Sequence, residues 1–217
     1  MRRPILEFGR LTNLADGIFS VAMTFLAFTI QLPAVADGPD GGLAGKLTAL
    51  LPQFLTLALS FSFAARCWVL HYRMHSVIVR GDGCLLTLNL CFLFGIILVP
   101  FSADVLGNFP LSPLSVTVYA ANSVFIMMTI GLMWGYALAH PHILGTHDAR
   151  QLGWFHLTFC IIATCGFLVS IGVAQFSTWI AIACWPAAML PGHVLSRRLS
   201  LLLAPTRTTD EAAVREA

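Results

Sequence analysis

Long apolar runs alternate along the chain with short polar breaks. A helix needs about 20 apolar residues to cross a hydrocarbon core of roughly 30 Å. The pattern predicts six such helices, over residues 11–32, 47–70, 85–106, 115–139, 152–173 and 179–195. The breaks carry turn chemistry: Gly, Pro and Asp between Pro33 and Gly42, then Gly81-Asp82-Gly83, then Asn108, Pro110 and Pro113. The break from Gln175 to Thr178 is the least marked. Residues 1–198 therefore read as one six-helix membrane domain and 199–217 as a polar tail. The first and fourth runs share no pattern, so any symmetry must come from further copies of the chain.

Composition removes the soluble alternatives. The chain is 58% hydrophobic and 10% charged, against roughly 45–50% and about 25% in ordinary globular domains. Its mean hydropathy is +0.83. A soluble fold of 217 residues has no interior large enough to hide that much apolar surface, so the partner must be a lipid bilayer. Disorder, a collagen repeat and a disulfide scaffold are excluded on the same grounds. A net charge of +2 is too small for a nucleic-acid footprint.

Charge placement orients the helices. Arg2, Arg3 and Arg10 precede the first run, Arg66, Arg73 and Arg80 surround the second break, Arg150 lies in the fourth, and Arg197, Arg198, Arg207 and Arg215 follow the last. Lys46 alone falls on the other side, beside Asp37 and Asp40. Cytoplasmic loops collect Lys and Arg, which puts both termini inside and agrees with an even number of spans. The expected location is a cell membrane, in a bacterium the inner one. A cleaved leader is the alternative for the first run, with Ala34-Val35-Ala36 as its cleavage site. The run is longer than the usual stretch of about 7–15 residues and opens with Arg10 and Asp16, which favours a retained span.

Little here resembles an active site. The six cysteines form no C-x-x-C pair and sit in or beside apolar runs, where they act as small hydrophobes. His140, His142 and His147 lack helical ligand spacing, so helix capping is a better reading than metal. No hydrolase, metalloprotease or phosphate-loop motif is present. Catalytic residues, metal and cofactor are therefore all expected to be absent. A carbonyl filter loop and a ladder of Arg inside one helix are missing as well. Arg66, Arg73 and Arg80 recur every seven residues and read as snorkelling anchors at the cytoplasmic end.

The informative residues open the first helix. Asp16 is read as the only acid drawn toward the bilayer, where a bare carboxylate costs several kcal/mol and needs partners. Trp68, His71 and Asn89 are expected at similar depth on other helices. A buried network, a plain N-terminal cap and an ion ligand all remain open. Beyond Asp16, Gly17, Ser20, Val21, Thr24, Phe28 and Gln31 recur at three- and four-residue spacing. That stripe suits either close helix packing or a pore lining.

At these residues the chain resembles the bacterial relatives of the endosomal and lysosomal potassium channel. The family opens with Arg-x-x-x-Phe-Ser-Asp, matched here by Arg10-Leu-Thr-Asn-Leu14-Ala15-Asp16. Trp68-Val-Leu-His71 matches the end of its second helix. Leu88-Asn89-Leu90-Cys91-Phe92-Leu93, followed by Pro100-Phe101, matches its third. The likeness is close over the first half of the chain and is one of hydropathy alone thereafter.

The resemblance implies a homotetramer of six-helix subunits whose first helices surround a path for permeant potassium. It puts the constriction on Val21, a hydroxyl layer on Ser20 and Thr24, and another pore-facing position on Phe28, with Gly17 on the same face. Arg10, Asp16, Trp68, His71 and Asn89 would hold the helix in place. Leu14 and Ala15 depart from the motif. Val21 is smaller than the aliphatic expected and Phe28 larger, so the narrowest point lies at one or the other. An ion- or proton-coupled secondary transporter is the alternative, with Asp16 and His71 as a relay. Pro100 and Pro186 do not mirror each other as an inverted repeat would require. A scaffold using the stripe only for packing is the third reading.

Overall fold

A computed structural model of the chain describes residues 8–31, 43–79, 81–140, 142–144 and 147–189. The elements are α1 (Phe8–Phe25), a 3-10 turn over Leu26–Thr29, α2 (Leu43–Ala49), α3 (Leu51–Val77), α4 (Gly83–Ile97), α5 (Val99–Asn108), α6 (Pro113–Ala139), α7 (His147–Ala174) and α8 (Thr178–Met189). Among the described residues, five stretches are long and apolar enough to cross a membrane: Gly9–Thr29, Leu51–Val77, Gly83–Asn108, Pro113–Ala139 and Asp148–Ala174. The sequence predicts six. The sixth begins as α8, of 12 residues, and its remainder, 190–195, lies outside the described residues, as does the 199–217 tail.

Local chemistry sets the ends of these helices. The Asp82 side chain caps α4 by accepting from the Leu85 N–H at 3.0 Å. Pro52, near the start of α3, and Pro113, at the start of α6, occupy positions whose N–H has no intrahelical partner in any case. Pro100 has no N–H to give the carbonyl four residues back, and its ring crowds that carbonyl. The result is a one-residue interruption at Leu98 between α4 and α5, while the apolar rod continues to Asn108. Val79 donates to the Ile143 carbonyl at 2.9 Å, and Ile78 bridges Leu144. The α3–α4 and α6–α7 links are thereby tied together at one end of the bundle.

The core centres on α6. Of its apolar span 56% is buried, against 22% of α1's. Tyr119 of α6 stacks on Trp185 of α8 at 4.8 Å, Phe167 of α7 lies 5.8 Å from the same indole, and the Trp185 N–H donates to Ser170 Oγ at 2.9 Å. Where α4 crosses α6 the fit is tight. A methyl at Gly95 would sit 2.6 Å from Ile126 Cγ1 and 3.0 Å from Phe125 Cδ1. Gly95→Ala should therefore cost about 1–3 kcal/mol through overpacking. Gly172→Ala, where nothing lies within 4 Å, should gain helix propensity instead. Thermal unfolding in detergent checks the pair; a midpoint unchanged in Gly95→Ala would refute the close fit.

Candidate functional site

The first helix is two-faced. Ala15, Phe19, Ala22 and Leu26 are buried, facing α3, α4 and α5. Asn13, Gly17, Ser20, Val21, Thr24 and Phe28 lie on exposed surface, with Val21 at 53% and Phe28 at 70% exposure. Burial on one side only leaves an apolar and hydroxyl-bearing strip exposed among the described residues. A cavity of about 500 Å³ runs beside it, lined by residues that include Gly17, Val21, Phe25, Ile97 and Pro100.

One hydroxyl on this strip is already oriented. Thr24 Oγ1 donates to the Ser20 carbonyl at 2.8 Å. With its proton used inside the helix, the Thr24 oxygen has only lone pairs to offer outward, which suits a cation and not an anion. Sequence periodicity assumes one continuous α-helix through Phe28. The chain instead tightens to 3-10 geometry over Leu26–Thr29, where each residue advances about 120° rather than 100° and Phe28 is carried round by roughly 60°. Its ring packs edge-on to Phe25 at 6.0 Å.

Two polar pairs stand behind the helix. The Trp68 indole N–H donates to Asp16 Oδ1 at 2.9 Å on the surface of the protomer. His71 Nε2 lies 2.7 Å from Asn89 Oδ1 in the interior. The His71 ring is stacked on Phe92 at 5.3 Å, and Phe19 of α1 lies 6.1 Å from it. Four of the five expected network residues are thus found as two pairs. Arg10 is not with them: it is exposed, and no hydrogen bond or ion pair joins it to Asp16 among the described residues. Its place on the first turn leaves its long side chain free to reach water. Phe19 and Phe92 form the aromatic walls of the buried pair; Phe92 falls inside the 88–93 stretch that carries the resemblance, whereas Phe19, an aromatic in an apolar run, carries no distinguishing signal.

Two expectations about charge are corrected. Asp16 is not the only acid in a span, since Asp104 sits within α5, inside the predicted 85–106 run. Arg66 is not at a helix end, because α3 continues to Val77 and leaves it three turns inside. Its guanidinium lies over the Phe159 ring at 5.0 Å, with Nε and Nη2 buried and unpaired, as are Trp134 Nε1 and His156 Nε2. Arg80 lies outside the described residues. At the linked end of the bundle, Asp82 also accepts from the Tyr136 hydroxyl. The Leu85 N–H first, and that hydroxyl second, hold the Asp82 carboxyl below its ordinary value. Cys67 and Cys160 are buried, while Cys84, Cys91, Cys165 and Cys184 are exposed, and all six are free thiols.

Residues 10–100 match the family described as endosomal/lysosomal potassium channel TMEM175. A potassium channel of Streptomyces collinus is 28% identical over 182 residues, covering 82% of this chain and 87% of its own. A potassium channel of Chamaesiphon minutus is 28% identical over 148 residues, covering 67% and 73%. Among solved structures, the fold resembles that of a lysosomal potassium-selective channel TMEM175 homolog from Chamaesiphon minutus. The TM-score is 0.73 and the identity 24%, over 85% of this chain and 95% of that one.

Proposed function

We propose that this multi-pass membrane protein, similar over residues 10–100 to the TMEM175 potassium channel family, conducts potassium along the exposed face of α1. Four copies would bring their first helices around a common axis, with Val21 as the constriction and the Ser20 and Thr24 oxygens as the layer that receives the ion. Potassium is the permeant species and no cofactor takes part. Both termini and the α6–α7 link lie on the cytoplasmic side in this arrangement.

The observation that carries the reading is the division of α1. One side is packed against α3, α4 and α5 through Ala15, Phe19, Ala22 and Leu26, while the small and hydroxyl-bearing side is left bare. A lipid-facing helix is expected to be uniformly apolar and bulky. This one instead exposes Asn13, Gly17, Ser20 and Thr24. Partial replacement of hydration waters by these hydroxyls is weak enough to let an ion leave again, which conduction requires. A ring of valines with no carbonyl filter gives only moderate discrimination between potassium and sodium.

The test is reconstitution of the purified protein into liposomes under a potassium gradient, with sodium and caesium measured in turn. Potassium flux faster than sodium flux, carrying current and independent of a proton gradient, is the expected result. Flux that moves only with protons would point to the coupled transporter, and absence of flux would overturn conduction outright.

A further inference from the structure

A second cation site lies where α1 ends, and it extends the conduction reading on which it rests. Asp104 of α5 faces a cavity of about 330 Å³ lined by Phe25, Phe28, Thr29, Gln31, Pro100 and Asp104. Phe28 is thus shared between the bare face of α1 and this carboxylate. A relay of amides holds the acid in place across three helices. The Gln31 backbone N–H donates to Gln53 Oε1 at 3.1 Å, and Gln53 Nε2 donates to Asn108 Oδ1 at 3.1 Å. Asn108 Nδ2 then donates to Asp104 Oδ1 and to its backbone carbonyl, each at 2.9 Å. The side-chain amides of Gln53 and Asn108 are thereby both committed, and no ion pair meets the Asp104 carboxylate among the described residues.

The donor set of the cavity selects cations. Thr29 Oγ1 gives its proton to the Leu26 carbonyl at 2.8 Å, so its lone pairs, like those of Asp104, are what it offers to a ligand. Among the described residues, no lysine or arginine lines the cavity. A water occupies about 30 Å³ of liquid, so the space holds an ion together with most of its hydration shell. One carboxylate falls well short of the 6–8 oxygen ligands that calcium takes, roughly as a rule, and a hydrated monovalent ion is the better match. We infer that Asp104 forms a weak site for hydrated monovalent cations at the mouth of the conduction path, raising their local concentration before they meet the α1 constriction.

Fields of this kind are strong at low salt and screened at high salt, the Debye length falling from about 30 Å at 0.01 M to about 3 Å at 1 M. Single-channel conductance of the full-length protein in planar bilayers tests the site. Asp104→Asn should lower conductance about threefold in roughly 20 mM KCl and leave it nearly unchanged near 1 M, while Asp104→Glu should restore the low-salt value. Equal low-salt conductance in Asp104→Asn and the unaltered protein would overturn the site. If at the same time Val21→Ala raised conductance, the pore reading would stand without it. If neither variant changed the current of a conducting channel, the pore reading would fail too. Should Asp104→Asn not assemble, the unaltered protein still decides: diluting KCl on the α1-end side alone should reduce the inflowing current less than in proportion, and a strictly proportional fall would refute the site.

Discussion

Val21→Ala is expected to raise the resting potassium flux on the order of tenfold, corresponding to a barrier lower by about 1.4 kcal/mol. A ring of four valine side chains is narrow and apolar enough to shed water, and an empty constriction blocks ions without any moving gate. Alanine removes two methyl groups from each copy and lets the bore stay wet. Phe28→Ala should act in the same direction but more weakly, by about two- to threefold. The tightened turn over Leu26–Thr29 carries the phenyl ring away from the line of Val21 and Thr24, toward the cavity it shares with Pro100 and Asp104. This ordering separates the two positions that the sequence leaves equal as the narrowest point. Liposome flux at matched protein density measures both. No change in either variant would mean that this face of α1 is not the path, and a larger effect at Phe28 would place the constriction at the outer turn.

The features that sequence reveals here are those written in periodicity and hydropathy. The stripe from Gly17 to Thr24 is visible because small and hydroxyl residues stand out in an apolar run, and the same residues are exposed in the structure. Helix ends are read less well, because hydropathy marks where lipid ends and not where the backbone ladder ends. His71, Arg73 and His75 continue α3 beyond the apolar run, and with them Arg66 moves from the helix end to its interior. The 3-10 turn at Leu26–Thr29 has no periodicity signal of its own, and just beyond it the Gln31 N–H bonds to Gln53 Oε1 and does not extend the helix. The Gln31–Gln53–Asn108–Asp104 relay is hidden for a related reason. Gln31 and Gln53 sit singly at different helix ends, and only folding brings them to the Asn108–Asp104 pair of α5.

Asn89→Leu and His71→Phe are each expected to destabilise the protein by about 2–3 kcal/mol, and the double variant His71→Phe with Asn89→Leu by much less. His71 is 2% exposed and Asn89 1%, so removing either partner leaves a buried polar atom with nothing to bond. The pair is already imperfect, because Asn89 Nδ2 has no partner. Replacing both residues by apolar groups of similar shape removes the whole desolvation penalty, and the flanking Phe19 and Phe92 rings offer a surface that a phenyl ring fits. The single changes should therefore sum to far more than the double change, a coupling that independent sites do not show. Phe19 belongs to α1, so weakening this pair loosens the brace of the conducting helix, and loss of flux should track loss of folded protein across the set. Unfolding midpoints in detergent give the cycle. Strict additivity of the two single changes would mean that His71 and Asn89 are neighbours that do not depend on one another, and the brace behind α1 would have to be sought in the Asp16–Trp68 pair instead.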